Sequence, residues 1–236
     1  MLRREELLST ITIEDIASKI DHTVLKPDTR IHEVEHACTV AKKYGFAAVV
    51  VPPVYVERAV ELLKGTQVKV CSVVSFPMGY TDTSIKVSEI ELLSEKGATE
   101  VDVVANIYAI KNHAWNLVEK EISEIVEIAH DRSMVVKIII ETNLLTDEEK
   151  IRVTEILIDK NADYVKTNTG FLGKASIHDV LLLNDTSRGR INIKAAGGIR
   201  HIEDTILFIR SGAKRIGTST GDRIIEEYLR FKGKMK

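Results

Sequence analysis

Seven short runs rich in β-branched residues recur along this chain, each separated from the next by a stretch with helical periodicity. The runs cover residues 47–51, 68–74, 101–104, 135–140, 163–166, 191–194 and 215–217. The helical stretches cover 31–44, 54–63, 84–96, 115–130, 147–160, 177–184 and 203–211, and a last helix starts near Arg223. Strict alternation of this kind selects a parallel sheet wrapped by helices. Several runs are apolar on both faces, as strands covered on both sides must be. Gly45, Gly97, Asn161 and Gly212 stand between a helix and the next strand, where a left-handed residue ends the helix. An eighth strand is expected at Lys19-Ile20-Asp21-His22, after a short extra helix at about 13–18. Eight strand–helix units in 236 residues predict one α/β domain over 1–236, a closed (β/α)8 TIM barrel with a short extra N-terminal helix. The competing architecture, an open doubly wound sheet, wants a glycine fingerprint after the first strand. Asp21-His22-Thr23-Val24-Leu25-Lys26-Pro27 has none.

The net charge of -2 gives no reason to expect nucleic acid as a partner. Cys38 and Cys71 form no metal or redox pair motif, so a reducing compartment is expected. Residues 1–10 carry Arg3, Arg4, Glu5 and Glu6 without an apolar core, unlike a secretory signal. The longest apolar run, 46–56, is too short to span a bilayer and holds two prolines. A cytoplasmic protein with no membrane partner is the resulting expectation.

Barrels of this type place their chemistry at the C-terminal ends of the strands. The polar residues expected there are Asp21 and Lys26, Asp102 and Asn106, Lys137 and Glu141, Lys166, Lys194, and Thr218 with Ser219. Alternation puts Asp102, Val104 and Asn106 on one face, and likewise Lys137, Ile139 and Glu141. Charges inside a barrel must be paired. Asp102, Lys137, Lys166, Lys194, Glu141 and Asp21 therefore read as one buried charge network. The bland reading is a satisfied polar core layer, but four separate strands carry a charge where an apolar residue is expected. Lys166 closes its strand and precedes Thr167-Asn168-Thr169-Gly170, and Lys194 closes the next. Repulsion between two neighbouring amines would hold one neutral and nucleophilic, the requirement for Schiff-base chemistry.

Two glycine segments follow the last strands, Ala196-Gly197-Gly198-Ile199-Arg200 and Gly217-Thr218-Ser219-Thr220-Gly221. Loops at these strands often hold phosphate on backbone N–H groups. Two such segments at the expected strands favour a phosphate site, Thr169-Gly170 offers a third backbone wall, and Arg200 is either a phosphate partner or a surface residue at a helix start. His32-Glu33-Val34-Glu35-His36 matches a zinc-protease pattern. Ile31, Val34, Cys38 and Ala41 define the buried face of that helix and turn both histidines to solvent, so the match reads as chance. No metal site is expected. His22 reads as a local hydrogen-bonding residue, Trp115, Tyr55 and Tyr108 as packing or subunit contacts, and the end 230–236 as a solvated tail.

At this point the chain resembles the deoxyribose-phosphate aldolases. The resemblance rests on Ile20-Asp21-His22-Thr23-Val24-Leu25-Lys26-Pro27, Ser75-Phe76-Pro77-Met78-Gly79 and Glu100-Val101-Asp102-Val103-Val104-Ala105-Asn106. It continues through Val136-Lys137-Ile138-Ile139-Ile140-Glu141-Thr142, residues 162–171, Ile193-Lys194-Ala195-Ala196-Gly197-Gly198-Ile199-Arg200 and Arg215-Ile216-Gly217-Thr218-Ser219. It implies a class I aldolase that needs no metal or other cofactor, forms a dimer or tetramer, and reversibly cleaves 2-deoxy-D-ribose 5-phosphate to D-glyceraldehyde 3-phosphate and acetaldehyde. By the same resemblance Lys166 is the Schiff-base lysine and Asp102 with Lys194 the proton relay. Gly170, Gly197, Gly198, Ser219 and Thr220 fall where the family binds phosphate. The chain departs from the family at Asn168 (usually serine), Val50 (commonly cysteine) and Pro52 (usually asparagine). These departures keep open a Schiff-base aldolase for another phosphorylated sugar; a further alternative, a phosphate-ligand-binding barrel without turnover, has the intact Asp102, Lys166 and Lys194 against it.

Overall fold

A computed structural model describes residues 11–234. Residues 1–10 and 235–236, and with them the reading of the N-terminal segment and the last two residues of the tail, lie outside it. Eight parallel strands close into a barrel in sequence order: β1 (Ile20–Thr23), β2 (Ala48–Val50), β3 (Lys69–Val74), β4 (Glu100–Val104), β5 (Val135–Ile139), β6 (Tyr164–Lys166), β7 (Asn192–Ala196) and β8 (Arg215–Thr218). The short extra helix α1 (Ile13–Ala17) precedes β1. Around the barrel run α2 (Ile31–Tyr44), α3 (Val56–Leu63), α4 (Thr83–Glu95), α5 (Ile107–Lys111), α6 (Trp115–Asp131), α7 (Asp147–Asp159), α8 (Ile177–Ser187), α9 (Ile202–Arg210) and α10 (Gly221–Lys234). The expected closed barrel is present, and no described helix is long and apolar enough to cross a membrane.

Local chemistry sets the boundaries. Thr146 caps α7: its hydroxyl accepts from the Glu149 N–H at 3.3 Å, while the Glu149 carboxylate accepts from the Thr146 N–H at 2.8 Å. Gly45, Gly97, Asn161 and Gly212 all take positive φ, at 70°, 92°, 60° and 115°. Three elements differ from the sequence expectation, one of them a 3-10 turn at Thr142–Leu144 after β5. The helix expected at 54–63 begins with a separate 3-10 turn, Pro53–Tyr55, because Pro53 has no N–H to donate and sits where a helix begins. The short α5, capped by Asn106 accepting from the Ala109 N–H at 3.0 Å, was not expected.

Side chains on odd and even strand positions divide the core into two. Outward positions such as Val101, Val103, Val136, Ile138, Val165 and Ile193 join the helices in one large apolar shell. Inside the barrel the apolar cluster is small: Ala48, Val50, Cys71 and Val73, with Leu25 and Phe76 against it. It lines the β2–β3 side. On the other strands the interior face is mainly charged, with Val104, Ile139 and Ala196 as its buried apolar residues toward the mouth.

One buried ion pair lies between the helices and the end of β4. Lys86 on α4 and Glu121 on α6 meet at 3.0 Å, and both are almost wholly buried. The Lys86 ammonium also donates to the Val104 carbonyl at 2.8 Å, and the other Glu121 oxygen accepts from the Asn106 N–H at 2.8 Å. The pair thus ties off the end of the strand that carries Asp102. Replacing Glu121 by Leu leaves the ammonium buried without its partner. Denaturant unfolding is expected to show a loss of about 3–5 kcal/mol, whereas a Lys86→Met, Glu121→Leu double variant recovers much of it.

His22 packs against Phe46 with ring centroids 5.5 Å apart. Burial pushes its imidazole pKa from 6.5 down to about 4. The unfolded chain therefore takes up this proton as pH falls through 6.5, while the folded chain resists until about 4. The stability is whole above that window and falls across it by roughly 3 kcal/mol. His22→Leu is expected to remove most of this loss when unfolding free energies at pH 7 and pH 4.5 are compared with those of the parent.

Candidate active site

Strand register assembles the interior. Lys166 and Lys194 are register partners on β6 and β7, and Asp102 and Lys137 are partners on β4 and β5. Asp21 pairs in register with Gly217, two residues beyond Arg215 on the same face of β8. Gly217 is a spatial necessity: a methyl group there would lie 2.8 Å from the Ala196 Cβ and 3.4 Å from the Lys194 Cε. Its absence leaves room for the Lys194 stem.

The centre of the cluster is one oxygen. Asp102 Oδ2 lies 2.7 Å from the Lys166 Nζ and 2.7 Å from the Lys194 Nζ. Its Oδ1 lies 3.2 Å from the Lys137 Nζ and accepts from the Cys71 thiol at 3.3 Å. Lys194 also meets Asp21 Oδ2 at 2.5 Å, and Lys137 meets Glu100 at 2.6 Å. Arg215 closes the base of the network, paired with Asp21 on one side and with Glu100 at 2.7 Å on the other. Asp21, Asp102, Lys137 and Lys194 are fully buried, and Lys166 keeps 4% exposure at the mouth.

Four cations (Lys137, Lys166, Lys194, Arg215) here meet three carboxylates (Asp21, Glu100, Asp102), an excess of one positive charge. Uncompensated charge is costly in a low-dielectric interior, which favours the neutral form of one amine. Lys166 is the amine whose pKa falls below its ordinary value. Burial pushes its pKa down, Asp102 opposes, and the positive charge of Lys194 adds to the depression. The repulsion expected between the two amines is present, but desolvation outweighs it. Burial also acts against the charged form of Lys194, but Asp102 and Asp21 more than offset it and hold the ammonium charged. Burial acts against the charged form of Lys137 as well, but Asp102 and Glu100 more than offset it and hold the ammonium charged, well above its ordinary value. Asp102 is held well below the carboxylate range, since Lys166, Lys194 and Lys137 together exceed its desolvation.

Glu141 departs from the expected network. β5 ends at Ile139, and Glu141 takes a left-handed backbone conformation, φ 50°, which breaks the alternation that would have aimed it inward. Its carboxylate instead accepts from the Thr169 N–H at 3.0 Å and braces the loop after Lys166. Asn168 braces the same loop, its side-chain oxygen accepting from the Thr142 hydroxyl at 3.2 Å. Glu100, Arg215 and Cys71 complete the network without having been expected. Glu100 lies two residues before Asp102 and Arg215 two before Gly217, so period-two alternation held the signal for both.

The three loops over the last strands are tied together at the mouth. A methyl group on Gly170 would touch the Gly197 Cα at 3.5 Å, and the Ala175 N–H donates to the Gly197 carbonyl at 3.0 Å. The Thr218 hydroxyl donates to the Ile199 carbonyl at 2.7 Å, and the Thr220 hydroxyl to that of Arg200 at 3.3 Å. Gly170, Gly197 and Gly198 have φ of 85°, 115° and 73°. Ser219 is exposed beside them, at the start of α10. His32 and His36 are exposed on α2, as expected, although Ile31 is exposed too. Asp147, His178 and Asp179 could in principle ligate an ion, but Lys150 already meets Asp147 at 3.0 Å and Asp179 at 2.7 Å. Tyr55 packs on the core and donates its hydroxyl to the Thr29 carbonyl, whereas Tyr108 is exposed.

The electrostatics carry a test with opposite signs. Trace labelling with acetic anhydride across pH is expected to find Lys166 reacting at lower pH than surface lysines. Lys194→Met removes a repelling charge and shifts the Lys166 profile upward. Asp102→Asn removes an attracting one and shifts it further down.

Comparison with known proteins fits this geometry. The sequence profile of the DeoC/LacD family aldolases matches residues 16–226. A deoxyribose-phosphate aldolase of Caldanaerobacter subterraneus subsp. tengcongensis is 45% identical over 230 residues, covering 97% of this chain and 97% of that protein. Another, from Thermococcus gammatolerans, is 46% identical over 215 residues, covering 90% of this chain and 96% of its own. The deoxyribose phosphate aldolase of Aeropyrum pernix, whose structure is described as a unique tetramer, superposes with a TM-score of 0.87 at 34% identity, over 93% of each chain. A barrel whose interior carries one depressed lysine beside a carboxylate and a second amine, and whose sequence matches over nearly its whole length, belongs to the DeoC/LacD family of aldolases.

Proposed function

We propose that this chain is a class I deoxyribose-phosphate aldolase, reversibly cleaving 2-deoxy-D-ribose 5-phosphate to D-glyceraldehyde 3-phosphate and acetaldehyde through a Schiff base on Lys166. The observation that carries the reading is the Asp102 oxygen shared by Lys166 and Lys194 at 2.7 Å each. It gives one neutral amine a proton handler and a cationic neighbour.

Neutral Lys166 attacks the substrate aldehyde carbon, and its displaced proton passes to the new hydroxyl by way of Asp102 and solvent. Loss of water from the carbinolamine leaves an iminium ion. That ion adds back the positive charge for which the cluster has no carboxylate. When the C2–C3 bond breaks, its electron pair flows into the iminium and forms a neutral enamine, while the C3 hydroxyl loses its proton and becomes the aldehyde of glyceraldehyde 3-phosphate. The charge balance of the barrel therefore favours the bond-breaking step. Protonation of the two-carbon enamine and hydrolysis release acetaldehyde and return Lys166. Asp102 and Lys194 move these protons, a contribution on the order of 10²–10⁴ in rate. Lys137 and Asp21 hold the relay in place. The two-carbon fragment faces the apolar wall of Leu25, Val50, Val73 and Phe76. The phosphate lies on the loops of Gly170, Gly197, Gly198, Ser219 and Thr220. A homo-oligomer, dimer or tetramer, is part of the same proposal, in keeping with the tetrameric Aeropyrum pernix relative.

Incubation with acetaldehyde and borohydride, followed by peptide mapping, is expected to place the reduced adduct on Lys166. An adduct elsewhere, or none, overturns the assignment. Retro-aldol activity on deoxyribose 5-phosphate is expected to survive chelation by EDTA, because the iminium is the electron sink. Lys166→Met is expected to abolish it. Light scattering decides the oligomeric state.

A further inference from the structure

An aromatic contact crosses the mouth of the barrel, and behind it lies an apolar cavity that the proposed reaction leaves unused. We propose that the Phe76–Phe171 contact is the wall that limits the donor aldehyde to two carbons, and that the cavity behind it is a subsite for the apolar chain of a longer donor, reached when the Phe171 ring is out of the way. The inference rests on the proposed function.

Phe76 follows β3 and Phe171 follows β6. Their rings meet edge to face, with centroids 5.4 Å apart and planes at 88°. On its inner side Phe76 packs against the apolar cluster of the barrel interior, the wall that the two-carbon fragment faces. The backbone around Phe76 is fixed. The Ser75 N–H donates to a Glu89 oxygen at 2.7 Å, and the Gly79 N–H donates to the Ser75 carbonyl at 2.8 Å. Gly79 lies so close to the Ala105 carbonyl that a methyl group there would collide with it. Phe171 is anchored at its root, where its N–H donates to the Thr169 hydroxyl at 3.1 Å. It is 49% exposed, so its ring is the half of the pair that can turn away by a side-chain rotation.

The contact joins two strands that have β4 and β5 between them on one side of the barrel, and β7, β8, β1 and β2 on the other. Lys194, Asp21 and the glycine segments after β7 and β8 belong to the longer arc. The cavity, of about 310 Å³, belongs to the shorter one. Pro77 and Met78 line it from the loop after β3, Ile107 and Tyr108 from α5, Leu144 from the turn after β5 and Leu172 from the loop after β6. Pro77 directly follows Phe76 and Leu172 directly follows Phe171. The ring pair thus stands between the donor wall and a space large enough for a small organic group. The charged residues at its edge are engaged: Lys111 meets Glu149 at 2.8 Å, one Glu141 oxygen accepts from the Thr169 N–H at 3.0 Å, and the other is buried. Apolar surface is what the cavity offers, so the group it takes is a hydrocarbon chain. Such a donor condenses with Lys166 through its aldehyde with loss of water, and loss of a proton from the next carbon gives the enamine. The enamine electron pair bonds that carbon to the aldehyde carbon of glyceraldehyde 3-phosphate, whose oxygen takes up a proton. Hydrolysis of the iminium returns Lys166 and releases a branched product.

The test measures aldol addition to glyceraldehyde 3-phosphate with acetaldehyde and with pentanal as donors, in the full-length enzyme and its variants. Phe171→Ala is expected to raise the ratio of kcat/KM for pentanal over acetaldehyde by about tenfold. Adding Leu172→Trp, which fills the cavity, is expected to return the ratio to that of the parent. A ratio unchanged in Phe171→Ala overturns the proposal. So does a rise that Leu172→Trp leaves intact, since the chain then lies elsewhere. Phe171→Leu, a milder truncation, decides the matter if the alanine variant is inactive on both donors: a rise in its ratio supports the proposal and an unchanged ratio overturns it. Parent enzyme that adds neither donor overturns the proposed function and the inference with it. A parent active on acetaldehyde, with variants that keep its ratio, overturns the inference alone.

Discussion

Two amines lean on one carboxylate oxygen, and the rest of the barrel interior is arranged around that fact. Asp102 Oδ2 receives both Lys166 and Lys194 at 2.7 Å, in a place where water does not dilute the charge. Held alone, two ammonium groups that close would repel. With Asp21 and Asp102 keeping Lys194 charged, the downward pKa shift falls on Lys166. The neutral amine that the proposed attack needs is thus favoured by burial and by the balance of charges inside a closed barrel.

The interior is divided by chemistry. β2 and β3 contribute Ala48, Val50, Cys71 and Val73, whereas the charged residues come from the other six strands. Cys71 stands at the border. Burial, with Asp102 beside it, pushes its thiol up, so it stays protonated and gives its hydrogen to Asp102 Oδ1. The outer shell is mostly apolar by comparison, but it holds the Lys86–Glu121 pair that ties off β4 from outside and a buried Lys150–Asp179 pair between α7 and α8.

Much of this was legible in the residues. Helix starts and stops were written in capping chemistry, as at Thr146 and Glu149 or at Gly45, and most predicted elements lie within two residues of those observed. The charged positions on β4, β5, β6 and β7 stood out because an apolar residue was expected at each. Glu141 shows where alternation stops being a guide: it holds only while the strand lasts, and a left-handed residue resets the direction. Lys86 and Glu121 were invisible for another reason. They are 35 residues apart on separate helices, and no local pattern distinguishes them from surface charges.

The order of the charges along the chain has a consequence for how such a barrel closes. Every carboxylate of the network, Asp21, Glu100 and Asp102, lies on the first four strands. Every cation, Lys137, Lys166, Lys194 and Arg215, lies on the last four. Either half folded alone would bury charges of a single sign, and two copies of the same half brought together would double the repulsion. Only an N-terminal half joined to a C-terminal half neutralises the interior. The grouping that surrounds Lys166 therefore also acts as a lock and key between the halves of the fold, discouraging half-closed and mispaired forms.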